Sequence, residues 1–178
     1  MTPGELKALV RTIPDFPKPG ILFRDITTLI GHGQGFAAAV GLMADKAREA
    51  GAEAIAGIEA RGFIFGAAVA ARLGLPFVPV RKPGKLPVPV LAMDYALEYG
   101  TDTLEVDPGA IHDDKAVVLI DDLIATGGTA LAAVQLLRSA GGTVTRALFA
   151  IDLPDLGGAE RLRTAGVPAD ALMAFEGH

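Results

Sequence analysis

The chain contains no cysteine among its 178 residues. This absence excludes disulfide bonds and metal sites built from thiolates, although it says little about the cellular compartment. The three histidines, His32, His112 and His178, are scattered along the sequence and form no cluster with metal-ligand spacing. We therefore expect histidines at the surface and no metal ion bound directly by protein side chains.

Long apolar runs and an excess of basic charge are also missing. Hydrophobic residues make up 51% of the chain, yet no run reaches the roughly 18 apolar residues that a membrane span needs. The segment Met1–Glu5 lacks the charged and apolar regions of a signal peptide. The net charge of −5 argues against a nucleic-acid-binding surface, which is usually basic. These features predict a soluble, cytoplasmic protein with no membrane or nucleic-acid partner.

The length predicts one domain over residues 1–178, large enough for a sizeable core. From residue 54 onwards, short apolar runs alternate with segments of helical periodicity, which is typical of an α/β fold with a mostly parallel sheet flanked by helices. The predicted strands are 54–58, 76–80, 117–121, 143–151 and 171–175. The predicted helices are 3–12, 35–50, 62–74, 128–140 and 156–165.

The alternation breaks between Arg81 and Asp114, where proline, glycine and charged residues are frequent. Alternating stretches such as 103–106 predict a β-hairpin flap over the sheet edge, a candidate active-site lid. Within the flap, segment 93–100 offers a carboxylate and an aromatic ring that could close over a reacting centre and exclude water. Taken alone, this segment is more typical of a strand with exposed acids and half-buried tyrosines.

The most informative segment is 117–129, in which four apolar residues lead into Asp121-Asp122 and a short Thr/Gly loop. The apolar run predicts a strand buried on both faces, with the acids at its carboxyl end, where open α/β sheets bind ligands. The loop 125–129 lacks bulk and precedes a helix, so its amides and hydroxyls can hold a phosphate. Carboxylates beside a phosphate cradle suit a phosphorylated sugar. The alternative is an ordinary strand-turn-helix with two solvated acids.

Basic side chains follow two other predicted strands. Arg61 comes just after strand 54–58, and a cluster comes just after strand 76–80. If the sheet is parallel, these positions share an edge with the acids, and guanidinium and ammonium groups there suit phosphate oxygens. A solvated basic turn, or an ion pair between Arg61 and Glu59, is the alternative. The cluster consists of Arg81, Lys82 and Lys85.

A proline- and glycine-rich turn separates Phe16 from Phe23 in segment 16–25. An exposed ring beside this turn could stack on a planar base, while nearby backbone groups read the edge of the base. The default alternative is a phenylalanine packed into the core.

These segments together resemble the type I phosphoribosyltransferases, and within them the adenine phosphoribosyltransferase family, almost from end to end. Four of the five matching motifs lie outside the loop that the superfamily shares. The resemblance implies the type I phosphoribosyltransferase fold with an N-terminal hood segment. It also implies a homodimeric, Mg²⁺-dependent enzyme of purine salvage that converts adenine and phosphoribosyl pyrophosphate (PRPP) to AMP and pyrophosphate. The motifs are segments 16–25, 59–63, 81–87, 97–100 and the loop that follows Asp121-Asp122.

The resemblance also implies residue roles. Asp121 and Asp122 would face the ribose hydroxyls, and Glu98 and Tyr99 would belong to the catalytic loop, with Glu98 managing the proton on the base. Mg²⁺ would be held mainly by PRPP and water. The 5′-phosphate would be held by Ala125, Thr126, Gly127, Gly128 and Thr129. Pyrophosphate would be bound by Arg61, Arg81, Lys82 and Lys85, some of them reaching across from the neighbouring subunit. Adenine would be bound by the backbone of Leu22 and Arg24, by stacking on Phe23 and by packing against Leu153.

One segment departs from the family pattern, and three other functions remain open. Residues 87–92 are apolar and punctuated by proline where a more polar flap is expected, which puts the stiffness of the flap in question. The first rival is a phosphoribosyltransferase for another base, because backbone readout cannot be derived from side-chain identity. The second is a non-catalytic PRPP-sensing regulator, for which no partner-binding element is visible. The third is a PRPP-making kinase, for which no ATP-binding segment is found.

Overall fold

The computed structural model describes residues 1–97 and 99–178, and their main sheet is parallel throughout. The order of its strands is β4-β3-β7-β8-β9. Within the sheet, Ile55 pairs with Phe77 of the strand on one side and with Val118 of the strand on the other. The predicted parallel α/β architecture is therefore confirmed. The strands are β3 (Ala54–Ile58), β4 (Phe77–Val80), β7 (Ala116–Ile124), β8 (Thr143–Asp152) and β9 (Ala169–Ala174).

Helices cover both faces of this sheet and bury two separate apolar clusters. One cluster joins the sheet to α1, α3 and α4 through residues such as Met43 and Phe65, and the other joins it to α5 and α6 through residues such as Leu137 and Leu162. Within the described ranges, no helix is at once long and apolar enough to traverse a lipid bilayer. The helices are α1 (Pro3–Leu9), α2 (Thr27–Ile30), α3 (Gly33–Glu49), α4 (Arg61–Leu73), α5 (Gly128–Ser139) and α6 (Gly158–Thr164).

Two small antiparallel sheets flank the main one. The strands β1 (Arg11–Pro14) and β2 (Leu22–Asp25) form the N-terminal hood, together with the turn that joins them. The strands β5 (Leu91–Ala96) and β6 (Thr101–Val106) form the predicted hairpin. Leu104 and Val106 of this hairpin are fully buried in the same cluster as α5. The body of the hairpin is thus part of the core, so only the segment around its turn is available as a lid.

The two largest boundary errors, of three residues each, have one shared reason. The first helix ends at Leu9 rather than near Thr12, because the next residues pair with β2 as a strand. The strand β7 continues to Ile124 rather than ending at Asp121, because Leu123 and Ile124 remain paired with β8. Strand pairing with a partner distant in sequence overrides local chemistry in both cases. Asp121 and Asp122 therefore lie within the carboxyl-terminal part of β7 and not after its end.

Candidate active site

A cavity of about 350 Å³ opens at the carboxyl ends of β3 and β7. Its floor is the strand end that carries Asp121 and Asp122, and its walls are residues 58–61 and the loop that joins β7 to α5. Lys82 enters from the segment after β4. All the residues predicted to hold the 5′-phosphate line this cavity, namely Ala125, Thr126, Gly127, Gly128 and Thr129.

The loop between β7 and α5 is shaped by glycine and supported from behind by a second glycine. Gly127, with φ of 83°, is the N-cap of α5, and a left-handed backbone of this kind favours glycine. The Gly158 amide donates to the Ala125 carbonyl over 3.0 Å, and a Cβ on Gly127 would lie 2.9 Å from the Gly158 Cα. Because the first amides of α5 lack partners within the helix, the loop and helix end can receive an anion.

The buried Asp122 carboxylate forms an ion pair with Arg61. The Nε of Arg61 donates to Oδ2 of Asp122 over 2.5 Å, and the Arg61 side chain remains more than half exposed. The Asp122 charge raises the pKa of Arg61. The alternative in which Arg61 pairs with Glu59 was therefore wrong, because Glu59 is paired with Arg81 instead. Arg61 thus stands at the cavity rim with its charge fixed and part of its guanidinium open.

Asp121 differs from its neighbour in its electrostatics. Burial and the adjacent Asp122 carboxylate hold the pKa of Asp121 well above its usual range. Its Oδ1 accepts the Asp122 amide over 2.8 Å and lies where a Cβ on Gly62 would come within 2.7 Å. The two acids therefore differ, because Asp122 forms an ion pair with Arg61 whereas Asp121 holds a proton more readily than an ordinary aspartate.

The basic segment after β4 divides between the cavity and the outer surface. Lys82 lines the cavity, where its Nζ donates to the Tyr95 hydroxyl over 3.0 Å and to the Asp102 carboxylate. Partial burial acts to lower the pKa of Lys82, but the hydrogen bonds to Asp102 and Tyr95 outweigh it and raise the pKa. Arg81 is held by Glu59 over 2.8 Å, and Lys85 is exposed; neither lines the cavity.

Of the two predicted residues in the hairpin turn, the structure describes Tyr99. Tyr99 is 81% exposed, and the Nζ of Lys18 lies 5.5 Å from the centre of its ring. Glu98, predicted to manage the proton on the base, lies outside the described residues. Tyr99 does not line the cavity, so its role in phosphate binding stays a prediction.

A second cavity, also of about 350 Å³, lies beneath the hood. Phe16 and Phe23 form its aromatic wall, with ring centres 5.1 Å apart in an edge-to-face arrangement. Phe16 is 51% exposed, as an accessible stacking platform requires. Arg24 and Arg61 also line this cavity, and Arg61 lines the first one as well, so the two cavities adjoin. An aromatic cavity beside a phosphate cavity can hold a planar base next to a sugar phosphate.

Two predicted base-binding residues lie away from the lining of this second cavity. Leu22 approaches the C-terminal residues, with its Cδ1 3.4 Å from the place of a Cβ on Gly177. Leu153 follows β8, is buried in the core, and donates its amide to the Ile124 carbonyl over 3.0 Å. Their contact with a base therefore remains a prediction.

Several residues of the site were missed from sequence. Gly158 supports the phosphate loop, and Asp102 and Tyr95 hold Lys82. The paired glycines Gly157-Gly158 before a helix could have indicated close backbone packing. The Asp102 contact carries no local signal, because it joins residues 20 positions apart.

The donor set at the site fits a hydrated metal ion rather than a directly caged one. In the portion of the chain that is described, no group of three or more His, Asp or Glu side chains is placed to hold a metal ion. Asp122 is engaged by Arg61, and Asp121 accepts a backbone amide. Two such carboxylates can accept hydrogen bonds from metal-bound water, which suits Mg²⁺ because it retains much of its hydration.

A parallel sheet with a phosphate loop and paired acids at the end of one strand is the arrangement expected of a phosphoribosyltransferase. In agreement, the family model described as the phosphoribosyl transferase domain matches residues 27–160. The chain is 69% identical to the adenine phosphoribosyltransferase of Novosphingobium aromaticivorans and 66% identical to that of Erythrobacter litoralis, with 100% of each chain covered. It belongs to the adenine phosphoribosyltransferase family and is an enzyme.

Solved structures agree with this relationship. The adenine phosphoribosyltransferase of Thermoanaerobacter pseudethanolicus superposes with a TM-score of 0.92 at 45% identity, covering 98% of this chain and 100% of that chain. The Saccharomyces cerevisiae enzyme, complexed with an imino-altritol bisphosphate and adenine, superposes with a TM-score of 0.90 at 36% identity, covering 96% and 97%. The fold and the family are therefore established together.

Proposed function

We propose that this chain transfers the 5-phosphoribosyl group of PRPP to adenine, giving AMP and pyrophosphate in purine salvage. The observation that carries the proposal is the meeting of two cavities at Arg61, one with a phosphate loop and one with an aromatic wall. A reaction that joins a base to a sugar phosphate needs both sites side by side, because proximity of the reactants supplies much of the rate enhancement.

The phosphate loop holds the 5′-phosphate through the backbone amides of 125–129 and the start of α5. Asp121 and Asp122 then face the ribose hydroxyls as acceptors. The bond from the anomeric carbon to pyrophosphate breaks as a base nitrogen bonds to the opposite face of that carbon. The Asp122 carboxylate, held in place by Arg61, favours the positive charge that develops on the sugar. The base gives up one proton, and Glu98 is the group proposed to accept it.

The leaving pyrophosphate is neutralised by basic side chains. Arg61 and Lys82 line the cavity of the same chain and are suited to this role. Lys82 must exchange part of its contact with Asp102 for a phosphate oxygen. Arg81 and Lys85 lie outside the cavity lining, which suits the role across a homodimer interface that the family resemblance implies. The proposal therefore includes a homodimer in which each subunit supplies cations to its partner.

The base occupies the cavity under the hood. Phe23 stacks on one face of adenine, the backbone of Leu22 and Arg24 reads its edge, and Leu153 packs on the other face. Phe23 and Arg24 line the cavity, which supports their part in the proposal. Tyr99 approaches from the hairpin turn when the lid is closed.

Three further elements complete the proposal. Mg²⁺, when bound with PRPP, supplies positive charge that polarises pyrophosphate oxygens. Asp121 and Asp122 would hold the ion through water, as their existing hydrogen bonds allow. The enzyme acts in the cytoplasm, and residues 1–178 act as one domain.

The test is product formation from PRPP and Mg²⁺ with adenine, guanine, hypoxanthine and xanthine in parallel, followed by chromatography. We expect rapid AMP formation and little product from the other bases. Product from another base would keep the PRPP site but overturn the assignment of the hood cavity to adenine. Binding of PRPP without turnover of any base would favour a PRPP-sensing regulator instead.

A further inference from the structure

The last four residues, 175–178, form a C-terminal tail that lies between the hood and the turn after β8. The tail continues directly from the main sheet. The Phe175 amide donates to the Asp152 carbonyl over 3.0 Å and so extends the pairing of β9 with β8. Phe175 itself is buried in the cluster beneath α1 and α3. The start of the tail is thus fixed to the body of the protein.

The tail contacts the hood through Arg24. The guanidinium of Arg24 lies 4.7 Å from the centre of the Phe175 ring, and its Nη2 donates to the Glu176 carbonyl over 2.8 Å. A cation over an aromatic face is attracted by the ring quadrupole. Arg24 lies in β2 and lines the base cavity, so the tail holds this strand through the Arg24 side chain.

The tail also contacts the turn that follows Leu153. The Gly177 amide donates to Oδ2 of Asp155 over 2.8 Å. Asp155 belongs to the 3-10 turn Pro154–Leu156, directly after Leu153. The tail therefore connects β2, which carries one side of the proposed base site, to the turn that carries the other.

The hood is also anchored at its base, where the Arg11 amide donates to Oγ1 of Thr28 over 3.2 Å and Ile26 is buried in the core. In the described part of the chain, β1 and β2 pair only with each other and share no strand pairing with the main sheet. The Nη2 of Arg24 also donates to the Gly177 carbonyl over 3.5 Å, whereas its Nη1 donates to Oγ1 of Thr12 over 2.7 Å and so stays inside the hood. A small sheet of this kind depends on side-chain contacts for its position, because two strands alone are marginally stable.

We infer that the C-terminal tail is a positioning element of the base site, in which Phe175 and Asp155 set the distance between β2 and the Leu153 turn. This inference rests on the proposed function, since it assigns the base to the hood cavity. Neither residue touches the substrate in this view. Loosening the tail widens the adenine site and leaves the phosphate loop unchanged.

The test compares Phe175→Leu and Asp155→Ala with the unmodified chain. Leucine keeps most of the apolar volume but removes the ring face that Arg24 contacts, and Asp155 is exposed, so its replacement spares the core. We expect KM for adenine to rise about fivefold in each, as the loss of one cation–aromatic contact or one hydrogen bond implies. KM for PRPP should stay within about twofold, since PRPP binds to the other cavity.

Two controls separate positioning from general loosening. Asp155→Asn keeps an oxygen acceptor for the Gly177 amide and should restore KM for adenine to the unmodified value. The Nζ of Lys7, in α1, also lies 4.8 Å from the centre of the Phe175 ring. Lys7→Met removes this cation and should leave both KM values unchanged.

Hydrogen exchange of the β2 amides gives a readout that does not depend on turnover. We expect faster exchange at 22–25 in Phe175→Leu and Asp155→Ala, with unchanged exchange in β7. If the unmodified chain makes no AMP, the proposed function fails while exchange still tests the tail. Equal rises in both KM values, or unchanged exchange in β2, would overturn the inference.

Discussion

The phosphate side and the base side of this site are built in different ways. The phosphate loop joins a buried strand directly to a helix, and it rests against Gly158 through backbone contacts. The base side belongs to a small separate sheet that side-chain contacts hold in place. The phosphate side should therefore respond sharply to changes in backbone packing, whereas the base side should respond in modest steps to the loss of single contacts.

The largest effect is expected from Gly158→Ala. A Cβ there would overlap the Ala125 carbonyl oxygen and lie 2.8 Å from the Gly127 nitrogen, so the phosphate loop must move. Loss of pre-positioned donors should lower kcat/KM for PRPP on the order of 10³-fold. Overpacking should also reduce the free energy of unfolding by about 2 kcal/mol. Steady-state kinetics and denaturant unfolding measure the two effects.

The matched control is Gly33→Ala at the first residue of α3, where a Cβ meets nothing within 4 Å. This variant should keep near-normal kinetics. If Gly158→Ala retained normal kcat/KM for PRPP, the loop would not be held by its backbone packing.

The next effect is expected from Asp122→Asn, which removes the buried charge that pairs with Arg61. Loss of this electrostatic support should lower kcat by about 10²-fold with little change in KM for adenine. Asp170→Asn is a useful comparison, because it weakens an ion pair with Arg146 that lies away from the site cavity. Equal losses in the two variants would argue against a specific role for Asp122.

Lys82→Met tests which cations serve the cavity of their own chain. Lys82 lines that cavity. Its replacement by methionine should raise KM for PRPP about tenfold, because a hydrogen bond to a charged group is lost. Lys85→Met should act only through the partner subunit. Mixing impaired Lys85→Met subunits with impaired Asp122→Asn subunits should therefore raise activity above the mean of the two separate variants, whereas a monomeric enzyme would show no such complementation.

A smaller effect is expected from Phe23→Leu on the base side. Loss of a stacking surface should raise KM for adenine about fivefold, because base stacking on an aromatic ring contributes about 1 to 3 kcal/mol. Ile30→Leu, in the helix that follows the hood, is a control for apolar repacking of the same neighbourhood. An unchanged KM for adenine in Phe23→Leu would remove Phe23 from the base site.

The smallest effect concerns stability in acid. Hydrogen bonds from Thr27 and Arg11 lower the pKa of Asp25 in the hood to about 2 from 3.8. Because the pKa of Asp25 is lower in the folded state, its carboxylate stabilises that state at pH values above the pKa of the unfolded chain. This contribution is lost as pH falls from about 4 through about 2. In Asp25→Asn, the free energy of unfolding should therefore fall less steeply with decreasing pH in this range. The exposed pair of Asp45 and Arg48 gives a control, because Asp45→Asn should change little.

The sequence was sufficient for the elements whose signals are local. Strand 54–58 was predicted with the ends that the structure has, because a strand covered on both faces is apolar throughout. The loop 125–129 was predicted because glycines and hydroxyls cluster within five residues. Both features depend on neighbours in sequence, and both lie on the phosphate side of the site.

The elements that were missed depend on partners far along the chain. The strand β1 has little apolar character, and it exists because it pairs with β2 across the Pro-Gly turn. Gly158 supports a loop about thirty residues earlier, and the tail reaches Arg24 from the opposite end of the chain. Such contacts arise from tertiary packing, so a pass along one sequence cannot show them.

The separation of the two sides is tested most directly by the kinetics of the double variant Lys82→Met/Phe23→Leu beside both single variants. The two positions belong to different cavities, so their effects on kcat/KM should multiply to within about twofold. Each single variant should move KM for its own substrate alone. A double variant no worse than the more impaired single variant, or singles that raise both KM values equally, would contradict two independently built sides.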